Sequence, residues 1–353
     1  MSESQFLEGA CVWKGTEMAA DSRWIKVMPD TLLTEIDEAV KRVEDMDWKR
    51  VNRHNFTLPG GKAFFDDVRE ELENGSGMVQ IRGLDVGRYS IEQLHRIWYG
   101  LGFCIGMPMY QNSRGEVMRD IRDQGGTGVK LYGETVDAAG NRFLSSGART
   151  LSPGQLRFHT DRCDVVGLLC VRQAMEGGVS KLASSATVYN EILKKRPDLH
   201  GLLCKPIPRS RFGEEIGGEH VVYDLPVFGV RDGKLTSHFS LTYIENAQLL
   251  AGVRKLTDAE HEAIRMLMDA AEENCFEMRF APGDIQLLNN HIIYHGRTAF
   301  KDQASTGQDR LLMRLWLSMP NSRALPEDHA VLWGDISGGK PRGGIAQPAA
   351  VAA

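Results

Sequence analysis

The sequence contains no CxxC pair, no GxGxxG and no GxxxxGK[ST], and each absence closes a class of function. Without a glycine-rich turn between strand and helix, no backbone cradle exists for a dinucleotide or a nucleoside triphosphate. Cysteine is sparse and scattered: Cys11, Cys104, Cys163, Cys170, Cys204 and Cys275 include no pair closer than Cys163 and Cys170. Neither a disulfide framework nor a thiolate zinc site is expected from that spacing. Long hydrophobic runs are missing too. The longest, Val165–Val171 with Gly167 inside it, falls far short of the roughly 20 residues a membrane helix needs. The N-terminus, MSESQFLEGACVWKG, has no basic stretch leading into an apolar one, so no secretory signal is read and a cytoplasmic protein is expected. An excess of positive charge is also absent. Lys and Arg number 42 against 47 Asp and Glu, a formal charge of −5, which gives no electrostatic ground for a nucleic-acid or membrane partner.

What remains is the composition of a globular protein, 42% hydrophobic and 25% charged over 353 residues, long enough for one large domain or two small ones. Helical periodicity is clearest over 30–46, 62–74, 90–102 and 257–274, the last opened by a Thr257/Glu260 capping box. Strand-like segments fall at 78–81, 165–171, 220–223, 227–230, 276–280, 284–288 and 311–317. Short strands broken by turns, in a chain whose helices gather toward its first half, predict a mainly β protein with flanking helices (α+β), a barrel or double-sheet sandwich. The glycine-rich segment 111–155, with one short strand at 129–132, is too long for a structureless loop in a compact domain and is expected to act as a lid. The low-complexity end from Ser337 to Ala353 is expected to be a disordered tail.

The chemistry concentrates in three places. In Leu156-Arg157-Phe158-His159-Thr160-Asp161, His159 and Asp161 are two apart, so an extended backbone turns both toward one face, where they supply half of a divalent metal site. A third ligand is available at His291 or His295; four apart, they share a face on a strand or a helix, and periodicity does not choose between them. Arg310 and Arg314 also share a face of an otherwise apolar strand. If that face is internal, each guanidinium demands a carboxylate, from the protein or from a dicarboxylate ligand.

Taken together, His159-Thr160-Asp161, Gly177-Gly178-Val179-Ser180, Gly283-Asp284 with Asn289-Asn290, His295-Gly296-Arg297 and Arg310 with Arg314 resemble the taurine dioxygenase/TfdA-like family of Fe(II)- and 2-oxoglutarate-dependent oxygenases. The resemblance runs from about Gly77, with Ile81-Arg82-Gly83-Leu84 near its start, to Pro320. It implies a double-stranded β-helix, the jelly roll of the clavaminate synthase-like fold, in one oxygenase domain over 1–336 with a core at about 77–320. It implies Fe(II) held by His159, Asp161 and His295, with 2-oxoglutarate as cosubstrate and O2 as oxidant. Arg310 and Ser180 are the expected partners of the distal carboxylate of 2-oxoglutarate, Arg314 a neighbour of cosubstrate or substrate, and Gln155 an amide near the cosubstrate. The implied reaction is hydroxylation, or another oxidation, of an unactivated C–H of a small molecule, coupled to decarboxylation of 2-oxoglutarate to succinate and CO2. Asp161 stands where halogenating members carry a small residue, which points to oxygenation.

The chain departs from the family pattern at Arg157 and Arg162. An Arg157 facing the pocket implies an anionic substrate; the competing reading has both arginines reach solvent or pair with Asp164 or Glu134. Tyr110, Gln111, Asn112 and Tyr132 are further candidates for substrate contact. The reading admits a homo-oligomer and involves neither nucleic acid nor membrane. Two alternatives stand beside it, a zinc hydrolase using the same three ligands and a non-catalytic jelly-roll binding protein.

Overall fold

A computed structural model describes residues 5–124, 134–136, 142–144, 149–211, 214–215 and 218–345 of the chain. Two antiparallel sheets form the centre. The larger has seven strands, in the order Ile25–Val27, Met78–Arg82, Ile285–Asn289, Val165–Arg172, Leu311–Ser318 and Met107–Pro108, with Met118–Ile121 also paired to Leu311–Ser318. Its one parallel pair is Ile25–Val27 with Met78–Arg82. The smaller sheet has four strands, Phe276–Met278, Ser180–Ser184, Ile293–Arg297 and Leu156–His159. This is the jelly-roll arrangement that the motifs imply.

Period-two alternation decides what each face carries. In Leu311–Ser318, the side chains of Leu311, Met313, Leu315 and Leu317 pack with the helices Asp30–Arg42, Lys62–Asn74 and Ile91–Ile105. Leu312 and Trp316 point the other way, into the layer between the sheets, where they meet Leu182, Met278, Leu288 and Ile293. A third layer covers the outer face of the small sheet, with Ala183, Phe158 and Tyr294 against Ser185–Lys195, Pro197–Leu203 and Asp258–Glu273. Gly167 shows how tightly the helical layer sits. A Cβ there would lie 2.8 Å from the ring of the fully buried Trp98, so a strand residue without a side chain is what admits the indole.

Three expectations need correction. Helices do not gather toward the first half: besides the one expected at 257–274, Ser185–Lys195, Pro197–Leu203 and Leu241–Leu249 follow the metal-ligand motif. β-Branched residues blur the helical period in Ser185–Lys195 and Leu241–Leu249, Pro197–Leu203 is too short to show one, and the Ser184 hydroxyl, which caps the first by accepting from the Thr187 N–H, is the local signal. Part of the expected lid is sheet, because Met118–Ile121 pairs with Leu311–Ser318. The short strand expected at 129–132, Tyr132 with it, lies outside the described residues. The tail does not begin at Ser337. Ile345 and Arg342 are buried, the Ile345 N–H donates to the Tyr110 carbonyl at 2.8 Å, and Arg342 Nε donates to Asp164 at 2.8 Å. No helix among the described residues is long and apolar enough to cross a membrane.

Asp164 is the knot of that C-terminal closure. Its carboxylate meets His291 Nε2 at 2.9 Å, Arg342 Nε at 2.8 Å and the Met319 N–H at 2.9 Å. His291 Nδ1 in turn lies 2.7 Å from the Thr236 hydroxyl. Burial works against ionisation of Asp164, but these partners hold it below the usual carboxylate range. Removing the carboxylate leaves a buried guanidinium unpaired, so Asp164→Ala is expected to cost about 3–5 kcal/mol in urea denaturation; a loss below about 1 kcal/mol would contradict this role.

Candidate metal centre

His159 ends the strand Leu156–His159 and stands directly opposite His295 across an antiparallel pair. The two rings lie 4.2 Å apart, centroid to centroid. Asp161 follows on a turn that Asn290 fixes, its side-chain oxygen accepting from the Asp161 N–H at 2.9 Å. One Asp161 oxygen is 3.9 Å from His159 Nε2 and the other 3.9 Å from His295 Nε2. The ligand atoms of the three residues all lie within 4.8 Å of one another. Such gaps are too wide for hydrogen bonds and right for atoms converging on one ion.

The donor chemistry fits a divalent ion of intermediate hardness. His159 Nδ1 is 2.9 Å from the Arg157 carbonyl, which can only accept, so Nδ1 carries the proton and Nε2 presents its lone pair. Burial pushes His295 down to about 3 and lowers His159, leaving both imidazoles neutral at pH 7. Asp161 is held below the usual carboxylate range: burial opposes this, but the Arg314 cation beside it favours the charged form, and the Trp316 indole N–H donates to Oδ2 at 2.9 Å. Two neutral nitrogens and one carboxylate on one side of an ion match the facial arrangement of non-haem iron.

Arg310 occupies the other end of the same cavity, which is also lined by Ser180, Gln286 and Arg297. Its Nη1 is buried with no hydrogen-bond partner among the described residues, and its guanidinium packs 5.3 Å from the Phe300 ring. Burial lowers its pKa to about 10, so it remains a cation. An unpaired buried cation is costly, and a ligand carboxylate removes the cost. The Ser180 hydroxyl is 3.2 Å from Gln286 Nε2. Arg297 is spoken for, its Nη2 donating to the carbonyls of Ser152 at 2.7 Å and Gly154 at 2.5 Å.

A second cavity opens on the opposite side of Asp161 and His159. Arg314 borders both cavities, held by Gln111 Oε1 at 2.7 Å and lying 3.7 Å from Asp161. Gln111 is buried there and also donates to the carbonyls of Val117 and Arg314. Arg157 lines this chamber, but its guanidinium is taken by Glu245 at 2.7 and 2.9 Å, neither Asp164 nor Glu134. Arg162 is turned away, bound to the Leu332 carbonyl and Glu219.

Other expected contacts fall away. Gln155 is exposed and borders neither cavity. A bulge between His295 and Arg297 sets Leu156 opposite Arg297, which breaks the alternation that would have carried Gln155 inward. Tyr110 is exposed, and Asn112 is consumed in its own turn, bonded to Glu116 and the Arg114 N–H. Sequence reasoning missed Trp316, Gln286, Arg119, Arg149, Glu214 and Tyr243. The i, i+2 series Arg310, Leu312, Arg314, Trp316 carries the signal for the first; the others come from distant segments.

The family described as taurine catabolism dioxygenase TauD, TfdA family matches residues 48–316. FR-33289 synthase of Streptomyces rubellomurinus is 29% identical over 346 residues, covering 94% of this chain and 96% of its own. A taurine hydroxylase-like protein of Stachybotrys chartarum is 26% identical over 319 residues, covering 88% and 79%. Among solved structures, an asparagine oxygenase in complex with Fe(II), 2S,3S-3-hydroxyasparagine and succinate superposes with a TM-score of 0.60 at 16% identity, covering 84% of this chain and 93% of that one. The non-haem iron oxygenase OrfP, in complex with Fe, succinate and (3S)-hydroxy-L-Arg, does so at 0.59 and 13%, covering 83% and 94%. At such identities the superpositions speak for the fold.

Trp316→Phe removes the indole donor to Asp161 while keeping an aromatic ring. It is expected to weaken Fe(II) by about 10- to 100-fold in anaerobic titration; an unchanged affinity would show that the donor does not orient the ligand.

Proposed function

This chain belongs to the taurine catabolism dioxygenase TauD/TfdA family and is a non-haem iron, 2-oxoglutarate-dependent oxygenase, and we propose that it oxidises an unactivated C–H bond of a small anionic molecule, most simply by hydroxylation. One observation carries the reading: a single buried cavity joins His159, Asp161 and His295 to the unpartnered guanidinium of Arg310. In this assignment the three ligands hold Fe(II), and the iron with bound 2-oxoglutarate and O2 supplies C–H oxidation coupled to decarboxylation of the 2-oxo acid to succinate and CO2.

The remaining work falls to this chain's own side chains. Arg310 binds the distal carboxylate, and the Ser180 hydroxyl, turning from Gln286, gives it a second donor. Family membership sets aside the zinc-hydrolase and non-catalytic readings, and the pairing with Arg310 gives each motif a use. The Arg157 carbonyl keeps His159 in one tautomer, and Trp316 and Arg314 keep Asp161 charged. The chamber beyond Asp161 receives the substrate. Arg157 by itself is no longer the reason to expect an anion, since Glu245 neutralises it; the support is the excess of guanidinium groups in the chamber wall, Arg119, Arg149, Arg157 and Arg314 against the carboxyls of Asp161 and Glu214.

Two experiments test this. Anaerobic Fe(II) and 2-oxoglutarate are expected to give a weak visible charge-transfer band, with succinate formed in air. His159→Ala abolishes the band, whereas Arg310→Ala retains iron and loses about 2–5 kcal/mol of 2-oxoglutarate affinity. Absence of band and succinate in the unsubstituted protein would sink the reaction class, and tight 2-oxoglutarate binding in Arg310→Ala would sink the anchor.

The second concerns Glu214, a chamber carboxyl that accepts from the Tyr243 hydroxyl at 2.9 Å and that burial pushes up to about 7. As pH rises through that value the group gains negative charge and repels an anion. KM for an anionic substrate is expected to rise above pH 7 and to lose that rise in Glu214→Gln; a KM that falls with pH in the parent enzyme would reverse the assignment.

A further inference from the structure

A third cavity meets the cosubstrate pocket at Arg310. It shares Arg310, Gly178, Phe280 and Leu312 with that pocket and no lining residue with the substrate chamber, so the three cavities stand in series. The 173–179 turn walls its outer side, with Met175 at 37% exposure. Gly178 has φ +68°, and a Cβ there would come 3.3 Å from Arg310 Nε, so a glycine leaves the flank of the guanidinium uncovered.

The charges of this cavity are mostly positive. Three arginines, Arg172, Arg279 and Arg310, line it against a single acid, Glu176. Glu176 is held by Lys301 at 3.0 Å, and Arg172 by Asp309 at 2.7 Å. Arg279 is exposed and makes no ion pair among the described residues. A dianion arriving through the substrate chamber meets the arginines of its wall but also the carboxyls of Glu214 and Asp161, and it must pass His159 and Asp161 to reach Arg310. From the third cavity it meets guanidinium groups from the start.

We propose that this cavity is the port through which dicarboxylates enter and leave the Arg310 end of the cosubstrate pocket, so that cosubstrate and substrate use opposite doors. The inference rests on the reading of Arg310 as the anchor of 2-oxoglutarate. The 2-oxo acid end travels first, toward His159, Asp161 and His295, and the distal carboxylate comes to rest last, on Arg310. Gly178, Phe280, Arg310 and Leu312 are the partition that moves aside. Cosubstrate and succinate then exchange while the chamber is occupied.

A port has a kinetic signature that a binding contact lacks, because narrowing it slows entry and exit alike and leaves the equilibrium unchanged. The test is stopped-flow mixing of the Fe(II)-loaded protein with 2-oxoglutarate under anaerobic conditions, following the charge-transfer band. Met175→Trp, at an exposed position, is expected to lower the association and dissociation rates together by about tenfold, with Kd within about twofold of the parent. Arg279→Glu is expected to lower the association rate severalfold at low ionic strength, with the difference shrinking as salt is added. Leu241→Trp, which narrows the substrate chamber, leaves association unchanged. Parent-like association in both port variants, slowing by Leu241→Trp, or a changed Kd at unchanged association rate each overturns the port. Absence of any band in the unsubstituted protein overturns the iron and 2-oxoglutarate assignment itself, and the port with it.

Discussion

The antiparallel pairing of His159 with His295 is the contact on which the site depends. Two residues far apart in sequence are brought opposite each other by backbone hydrogen bonds, and the ring separation follows from strand spacing. Asp161 needs only a turn beyond the strand, pinned by Asn290, to complete the set. Every further element of the centre is referred to this pair. The Arg157 carbonyl selects the tautomer of His159, and the facing sheet delivers Trp316 and Arg314 to Asp161. A one-residue slip of either strand would turn its imidazole toward the helical layer on the outer face of the small sheet and part it from the other.

The facing strand Leu311–Ser318 works by the same parity. Its outward residues are Leu311, Met313, Leu315 and Leu317, which bind the sheet to three helices. That hydrophobic stripe fixes the strand so firmly that the opposite series is fixed with it, whatever its polarity. Arg310 precedes the strand, Arg314 and Trp316 lie within it, and the apolar stripe holds all three toward the small sheet. Burial of charged groups is therefore underwritten by the leucines and methionine on the other face. Arg314 finds Gln111 and Asp161; among the described residues the Arg310 guanidinium meets an aromatic ring and its Nη1 no hydrogen-bond partner.

The architecture was legible in the sequence where periodicity was strong, as in the first three amphipathic helices and in the strands at 165–171 and 311–317. The helix at Asp258–Glu273 was equally legible from its Thr257/Glu260 capping box, whereas Ser185–Lys195 and Leu241–Leu249 were not, because their Thr, Val and Ile read equally well as strand, and Pro197–Leu203 is too short to show a period. At the site, His159 and Asp161 announced themselves by spacing, while the choice of His295 over His291 needed the family pattern. The structure supplies the physical reason for that choice: His291 is bound to Asp164 and Thr236, with no lone pair free to face Asp161. Glu214 and Tyr243 were beyond reach of any local signal, since their meeting depends on how the segment after Ile207–Ser210 folds over the Leu241–Leu249 helix. Gln155, which the family resemblance implies to be near the cosubstrate, is exposed, because a bulge that nothing in the sequence marks changes the register between His295 and Arg297.

Arg314 gives the two halves of the site a common wall. It borders the cosubstrate pocket and the substrate chamber at once, with its Nε committed to Gln111 and its Nη1 near Asp161. A guanidinium tied at two points moves little, so its charge is a fixed feature of both cavities. The same group steadies the Asp161 carboxylate and, on the proposed reading, adds to the positive field met by an anion in the chamber and separates that anion from the carboxylates of the cosubstrate. Two negatively charged ligands can then occupy adjacent spaces without facing each other directly. On the proposed reading, Arg314 is thus a screen between neighbouring anions in a protein whose net charge is negative.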